Sequence, residues 1–216
     1  VRYLDEFPAD QCGGHERRYA VSLEWVAPLL TPGATIVGFG RGECPFETAA
    51  RRLFPATITT TRDDDLRYYL RLEDASADGI LLMETLEHMK DRDGDPVDIV
   101  CHTGIRNVLA EALRILKPGG WLFLTTPNAG QYGCAWRLVR GDSPTWCDAH
   151  AHEFAWNELR WFLTTAGFRI DRIEAVDCWM DLECPAELRA VMDALCPDIP
   201  RGHAIFCLAR KPEAAP

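Results

Sequence analysis

Histidines, carboxylates and a cluster of glycines are the residues in this chain whose types and spacing could carry chemistry. Of six histidines, His88 lies in Met83-Glu84-Thr85-Leu86-Glu87-His88, and His150 and His152 lie in His150-Ala151-His152-Glu153-Phe154. Imidazole titrates near neutrality, so each is a candidate general base. Each has the plainer alternative of a structural histidine satisfied by backbone groups. Glu84-x-x-Glu87-His88 gathers two carboxylates and an imidazole, a set that would suit magnesium better than zinc. Cys147-x-x-His150-x-His152 offers softer ligands at short spacing but no fourth partner in sequence. Neither run is read as a metal centre: Glu87 also reads as a helix-turn residue and Cys147 as a pocket or surface thiol. The third feature is Gly38-Phe39-Gly40-Arg41-Gly42, where missing Cβ atoms allow a tight turn and close approach of a ligand. Its G-x-G-x-G spacing is not the G-x-G-x-x-G of dinucleotide sites, which disfavours a nicotinamide-linked oxidoreductase. No Gly-Lys-Ser/Thr follows, which excludes a nucleotide-triphosphate P-loop. Taken alone, the loop is also compatible with a mere strand-to-helix turn.

These residues need elements to position them. The glycine loop follows a short apolar run at 34–37 and precedes Pro45, which suits a first helical turn, with Phe46, Ala49, Ala50 and Leu53 on one face. An earlier helical stripe, Tyr19, Leu23, Val26 and Leu30, stops at Pro32-Gly33. The threonine-rich 57–61 and the wholly apolar 79–83 predict strands, the second buried on both faces. Ile105, Val108, Leu109, Ala112, Leu113 and Leu116 step by three and four, and Lys117-Pro118-Gly119-Gly120 closes that helix. A strand at 121–126 leads into Pro127-Asn128. Leu159, Phe162, Leu163 and Ala166 predict a helix ended by Gly167, then a strand at 168–176, a helix starting at Pro185 and a last strand at 203–209. Strands alternating with helices imply a mostly parallel sheet covered on both faces, whose ligands bind beyond the carboxyl ends of its strands.

Composition bounds the partners. At 216 residues the expectation is a single domain spanning 1–216. The net charge of −10 argues against nonspecific binding to a phosphate backbone, so no nucleic-acid partner is expected. Apolar residues make up 47%, enough for a core. The longest apolar run, 204–209, is far short of the roughly 20 residues a membrane helix needs, so no membrane partner is expected. No basic-then-apolar leader opens the chain. Nine scattered cysteines without a C-x-x-C pair read as reduced thiols, pointing to a cytoplasmic protein.

Four segments in register carry a resemblance. Ile36-Val37-Gly38-Phe39-Gly40-Arg41-Gly42 resembles the first motif of class I S-adenosylmethionine-dependent methyltransferases. Met83-Glu84-Thr85-Leu86-Glu87-His88 is similar to their segment after the fourth strand. The run from Leu113 through Lys117-Pro118-Gly119-Gly120-Trp121 to Thr126-Pro127-Asn128 resembles their helix, turn and fifth strand. His150-Ala151-His152-Glu153-Phe154, with Glu158-Leu159 and Ala166-Gly167-Phe168, resembles the segment leading to the sixth strand of many small-molecule members.

The resemblance implies an α/β fold: a Rossmann-like, seven-stranded, mostly parallel sheet with helices on both faces and the last strand antiparallel. It implies S-adenosyl-L-methionine as cofactor. Gly38, Phe39, Gly40 and Gly42 would pass its methionine part, and Asp63, with Asp64 and Asp65 as neighbours, would hold the ribose hydroxyls. Leu72 and Glu73 would lie near the adenine, and Met83 and Glu84 would border the cofactor from a strand end. The family's usual acid two residues before the first glycine is here Ile36. His88 would stand where the methyl group points, and His150 and His152 would frame the acceptor pocket. The residues 129–153 would form a lid or acceptor-binding insertion. The Asn/Asp-Pro-Pro-aromatic run of many amino-group methylases is missing after the fourth strand, so the expected reaction is O-methylation of a small metabolite or sugar hydroxyl. The expected partner is a small-molecule or glycan acceptor, with a homodimer as a further expectation. Ile36, and a second strand that ends in Thr60-Thr61-Arg62 before any acid appears, motivate the other reading, a catalytically inactive binding or scaffold protein.

Overall fold

The computed structural model describes residues 1–40, 44–62, 64–96, 98–145, 147–179 and 183–213. In chain order the elements are α1 (Ala9–Cys12), α2 (Glu16–Val26), β1 (Thr35–Gly38), α3 (Pro45–Leu53), β2 (Thr57–Thr60) and β3 (Ala77–Met83). There follow α4 (Thr103–Ile115), β4 (Leu116–Pro127), α5 (Tyr132–Val139), α6 (Trp156–Ala166), β5 (Arg169–Val176), α7 (Ala186–Leu195) and β6 (Ala204–Arg210). The strands form one sheet in the order β2-β1-β3-β4-β6-β5. The pairs β1–β2, β1–β3 and β3–β4 are parallel, and β6 inserts antiparallel between β4 and β5.

Alternation along the strands divides the core in two, because successive side chains point to opposite faces. Val37, Ile80, Leu82, Leu122, Leu124 and Ile205 pack on one face with α4 and α6. Ile36, Leu81, Phe123 and Phe206 pack on the other with α2 and α3. The apolar 79–83 run is therefore buried on both faces because helices cover both. Gly79 has a local task in it: a Cβ there would run into the ring of Trp121 on β4. The strand expected at 121–126 begins five residues earlier, at Leu116, which pairs with Ala77 across an irregular register. Pairing partners, not propensity, set that boundary.

The expected seventh strand is corrected by the structure. Among the described residues the sheet has six strands. Only sixteen residues, 61–76, separate β2 from β3. A single parallel crossover needs a dozen or more, so a crossover, an additional strand and a second crossover cannot fit. The segment instead descends along α4 as an irregular strap whose main chain is satisfied by α4 side chains. Asn107 Nδ2 donates to the carbonyls of Leu66 (3.2 Å) and Tyr68 (2.9 Å), and the Leu70 amide donates to Glu111 Oε2 (2.8 Å). Arg114 donates to the carbonyls of Leu70 (3.0 Å) and Leu72 (2.7 Å) and to Asp74 Oδ1 (2.6 Å). Burial alone would raise the Glu111 carboxyl, but Arg114 and the Leu70 amide hold it below its ordinary value.

No described helix is long and apolar enough to cross a membrane. All nine cysteines are free. The stretch at 129–153, without a steady period in sequence, carries the two-turn helix α5.

Candidate active site

The glycine loop leaves β1 between the ends of β2 and β3. Gly38 is held by both neighbours, since the Thr61 amide donates to its carbonyl (3.0 Å) and the Phe39 amide donates to Leu81 (2.8 Å). A Cβ on Gly38 would run into Glu47 Oε1; Glu47 Oε2 accepts from the Cys44 amide at the start of α3 (3.4 Å). Gly38 thus makes room for the acid that caps the next helix. Gly40 has φ +151°, and a Cβ on it would stand 3.1 Å from Thr85 Oγ1. The Thr85 hydroxyl lies against two carbonyls, Phe39 (3.2 Å) and Met83 (2.9 Å), tying the loop to the tip of β3. Phe39 turns its ring into the core beneath α4 and α6 and offers the site only its backbone. Gly42 and Asp63 lie outside the described residues.

Leu72 and Glu73 do not reach this end of the sheet, and their expected place at the adenine is corrected. Leu72 is tied to Arg114 in the last turn of α4, and the Glu73 carbonyl accepts from Ser76 just before β3 begins. They sit at the amino end of β3 because the strap has run the length of α4 by that point. Of the strap, 64–67 lie at the carboxyl end; Asp65 is held there by Arg67, which pulls its carboxyl below the ordinary value.

Beyond β3 the chain turns sharply. Glu84 has φ +46°, held by its amide donating to Thr125 on β4 (2.8 Å). Its side chain faces Arg18 of α2, Nη1 to Oε1 3.9 Å, and its Oε1 is buried without a hydrogen-bond partner. The 3₁₀ turn Leu86–His88 then sends Glu87 the opposite way, into full burial, where Oε2 accepts from Thr126 (3.0 Å). Burial first, and the charges of Glu84 and Glu153 after it, push the Glu87 carboxyl well above its ordinary value. The Glu87 carbonyl accepts from the amides of Ala151 and His152, fastening the 149–152 loop over the strand tips.

That fastening brings His150 to His88. The rings lie 4.8 Å apart, centre to centre, edge to face. His88, itself exposed, bonds the Ala149 carbonyl through Nδ1 (3.1 Å), and His150 Nδ1 bonds Glu153 Oε1 (2.7 Å), the His150 and Glu153 side chains both nearly buried. Nδ1–H donation to these oxygens leaves each Nε2 as the basic nitrogen. One ligand atom each of Glu87, His88 and His150 lie within 4.8 Å of one another. His152 is turned elsewhere: its Nε2 bonds Glu158 Oε1 (2.9 Å), and its ring meets those of Phe154 and His102 edge to face. Neither candidate metal run converges as spaced, since Glu84 and Glu87 diverge, and Cys147 accepts from the Ala149 amide while His152 faces α6.

Two participants went unread in the sequence. Glu153 carried a signal, lying three residues from His150 on a loop that doubles back. Arg18 carried a fainter one: a cation beside Tyr19 on an apolar stripe, where α2 buries it at 5% exposure.

A glycine loop at the carboxyl end of a mostly parallel sheet, with helices on both faces and the last strand antiparallel, is a Rossmann-like arrangement. Residues 21–173, well over half of the chain, match the model of the family described as a methyltransferase domain. The chain belongs to that family and is an S-adenosylmethionine-dependent methyltransferase. Among solved structures it resembles an S-adenosylmethionine-dependent methyltransferase from Archaeoglobus fulgidus, with TM-score 0.62 and 15% identity over 98% of this chain and 100% of that one. Another, from Thermotoga maritima, has TM-score 0.55 and 18% identity over 97% of each chain. The cyclase SpnF, with TM-score 0.59 and 17% identity over 92% of this chain and 81% of that one, shares the fold as well. At these identities the likeness concerns fold alone. No curated protein matches the chain in sequence.

The residues present fit S-adenosylmethionine. Gly40 keeps a backbone face clear of any Cβ, and Glu84 Oε1 and Arg18 Nε are buried at the strand tips without hydrogen-bond partners.

Proposed function

We propose that the protein methylates a hydroxyl group of a small metabolite or sugar, with His150 as the base. The observation that carries this reading is the His150–Glu153 pair at 2.7 Å beside His88, in the segment that resembles the family's acceptor pocket. When bound, S-adenosylmethionine supplies a methyl group on a sulfonium, ready for in-line displacement. The chain's part is alignment and proton removal. His150 Nε2 takes the hydroxyl proton, and Glu153 fixes the ring and stabilises the imidazolium that results. His88, anchored through Nδ1 to Ala149, presents its Nε2 to the same space. Glu87, held toward its neutral acid by burial, keeps a second negative charge away from the acceptor oxygen. The 129–153 segment with α5 closes over the acceptor as a lid. Within one domain spanning the chain, the inactive-scaffold reading draws nothing from this site, whose polar groups are intact. The free thiols support a reducing, cytoplasmic setting.

A second reading rests on the convergence of Glu87, His88 and His150: a divalent ion shared by these three would lower the pKa of the acceptor hydroxyl directly. One experiment separates the two. Purified protein is incubated with methyl-labelled cofactor and a panel of sugars, nucleosides and phenols, before and after exhaustive chelation. The base reading expects methyl-ether products insensitive to chelator and a fall in kcat of about 10²–10⁴-fold in His150→Ala. Activity lost with chelator and restored by magnesium or manganese establishes the ion instead. Methylation of amines alone would refute both.

A further inference from the structure

The amino-acid end of S-adenosylmethionine is a zwitterion, and the acid that the resemblance would place two residues before the first glycine, to help hold that end, is missing. Ile36 stands there, fully buried in the apolar core against Leu81 and Phe123, and can meet no charge. We propose that Arg18 and Glu84 together replace it, Arg18 clasping the α-carboxylate and Glu84 the α-ammonium. This inference rests on the cofactor assignment and names the residues that read one end of it.

The two side chains come from different elements and meet at the strand tips. Glu84 follows β3 directly, and its left-handed backbone, pinned to Thr125, aims the carboxylate toward α2. Such a conformation is strained in a non-glycine residue and persists where its surroundings impose it. Arg18 lies across the ring of Tyr19, 4.6 Å from guanidinium to centroid, so its donor plane is set before a ligand arrives.

The pair is not closed on itself. Nη1 and Oε1 are 3.9 Å apart, too far for a hydrogen bond, and both Arg18 Nε and Glu84 Oε1 are buried with no hydrogen-bond partner. Opposite charges held apart with spare donors and acceptors suit a ligand bearing both charges. A completed salt bridge would have no capacity left. His15 is pushed toward its neutral form by burial and by Arg18, so it adds no second cation. Its Nδ1 instead accepts from the Trp179 indole (2.9 Å).

The test uses titration calorimetry with S-adenosylhomocysteine and with 5′-methylthioadenosine, which keeps the nucleoside and thioether but lacks the amino-acid end. Arg18→Met is expected to weaken S-adenosylhomocysteine by about 10- to 100-fold, the range for hydrogen bonds to charged groups, and to leave methylthioadenosine unchanged. Glu84→Gln, isosteric and less buried, is expected to do the same, and keeps the test open if Arg18→Met folds poorly. With decarboxylated S-adenosylmethionine, Arg18→Met should lose nothing while Glu84→Gln still does. Equal weakening of both probes, or none, overturns the inference while leaving the cofactor assignment intact. Wild-type protein that binds neither probe at millimolar concentration overturns the cofactor assignment and this inference with it.

Discussion

Replacing Gly40 by alanine tests whether the loop is a cofactor cradle or a turn. At φ +151° an alanine strains the backbone by about 1–3 kcal/mol. Its Cβ would also press Thr85 Oγ1 at 3.1 Å, weakening a hydroxyl shared between the Phe39 and Met83 carbonyls, worth about 1 kcal/mol. The sum, about 2–4 kcal/mol, corresponds to a fall in Tm of about 4–16 °C at this chain length. Gly33 supplies the control. It too has positive φ, +79°, but nothing stands within 4 Å of its Cβ position. Gly33→Ala should therefore show the strain cost alone. The assay is thermal unfolding of both variants with and without saturating S-adenosylhomocysteine, beside calorimetric affinity. Gly40→Ala is expected to lose ligand-induced stabilisation and Gly33→Ala to retain it. Wild-type affinity in Gly40→Ala would refute the reasoning, because a Cβ on the ligand-facing backbone would then obstruct nothing.

Two further perturbations address the fold and its acids. Arg114→Met removes the donor that satisfies Leu70, Leu72 and Asp74, so it should cost about 2–4 kcal/mol and raise amide exchange selectively across 66–74; uniform exchange would show that the strap does not depend on it. Glu87 is a group whose folded pKa is raised, so its contribution to stability is full below its ordinary value near 4.5 and is lost as pH rises through the folded value. Glu87→Gln should therefore gain Tm relative to wild type on going from pH 5 to pH 8. A constant difference across that range in metal-free protein would contradict the burial assigned to Glu87.

Much of the scaffold is legible from local pattern. The apolar 79–83 run and the three-and-four spacing from Ile105 to Leu116 are signals between near neighbours, and each element appears close to its expected place, whereas Lys117-Pro118-Gly119-Gly120, expected as a turn, follows the end of α4 but lies within β4. The seventh strand failed because resemblance supplies a family's average topology, whereas the sixteen residues at 61–76 set how much chain was on hand. Leu72 and Glu73 were misplaced for the same reason: counting back from β3 ignores the direction in which the strap travels.

The sequence by itself determined the class of site, since glycines that free a backbone and the runs around Glu84 and His150 are local chemistry written in consecutive residues. Only the tertiary structure decided which of those residues act together. It set His150 on Glu153 and beside His88, turned His152 away to Glu158, parted Glu84 from Glu87, and brought Arg18 across 66 positions of chain to Glu84. Those choices depend on where separate elements end in space. Burial energy summed over the whole core settles that, and no short run of residues encodes it.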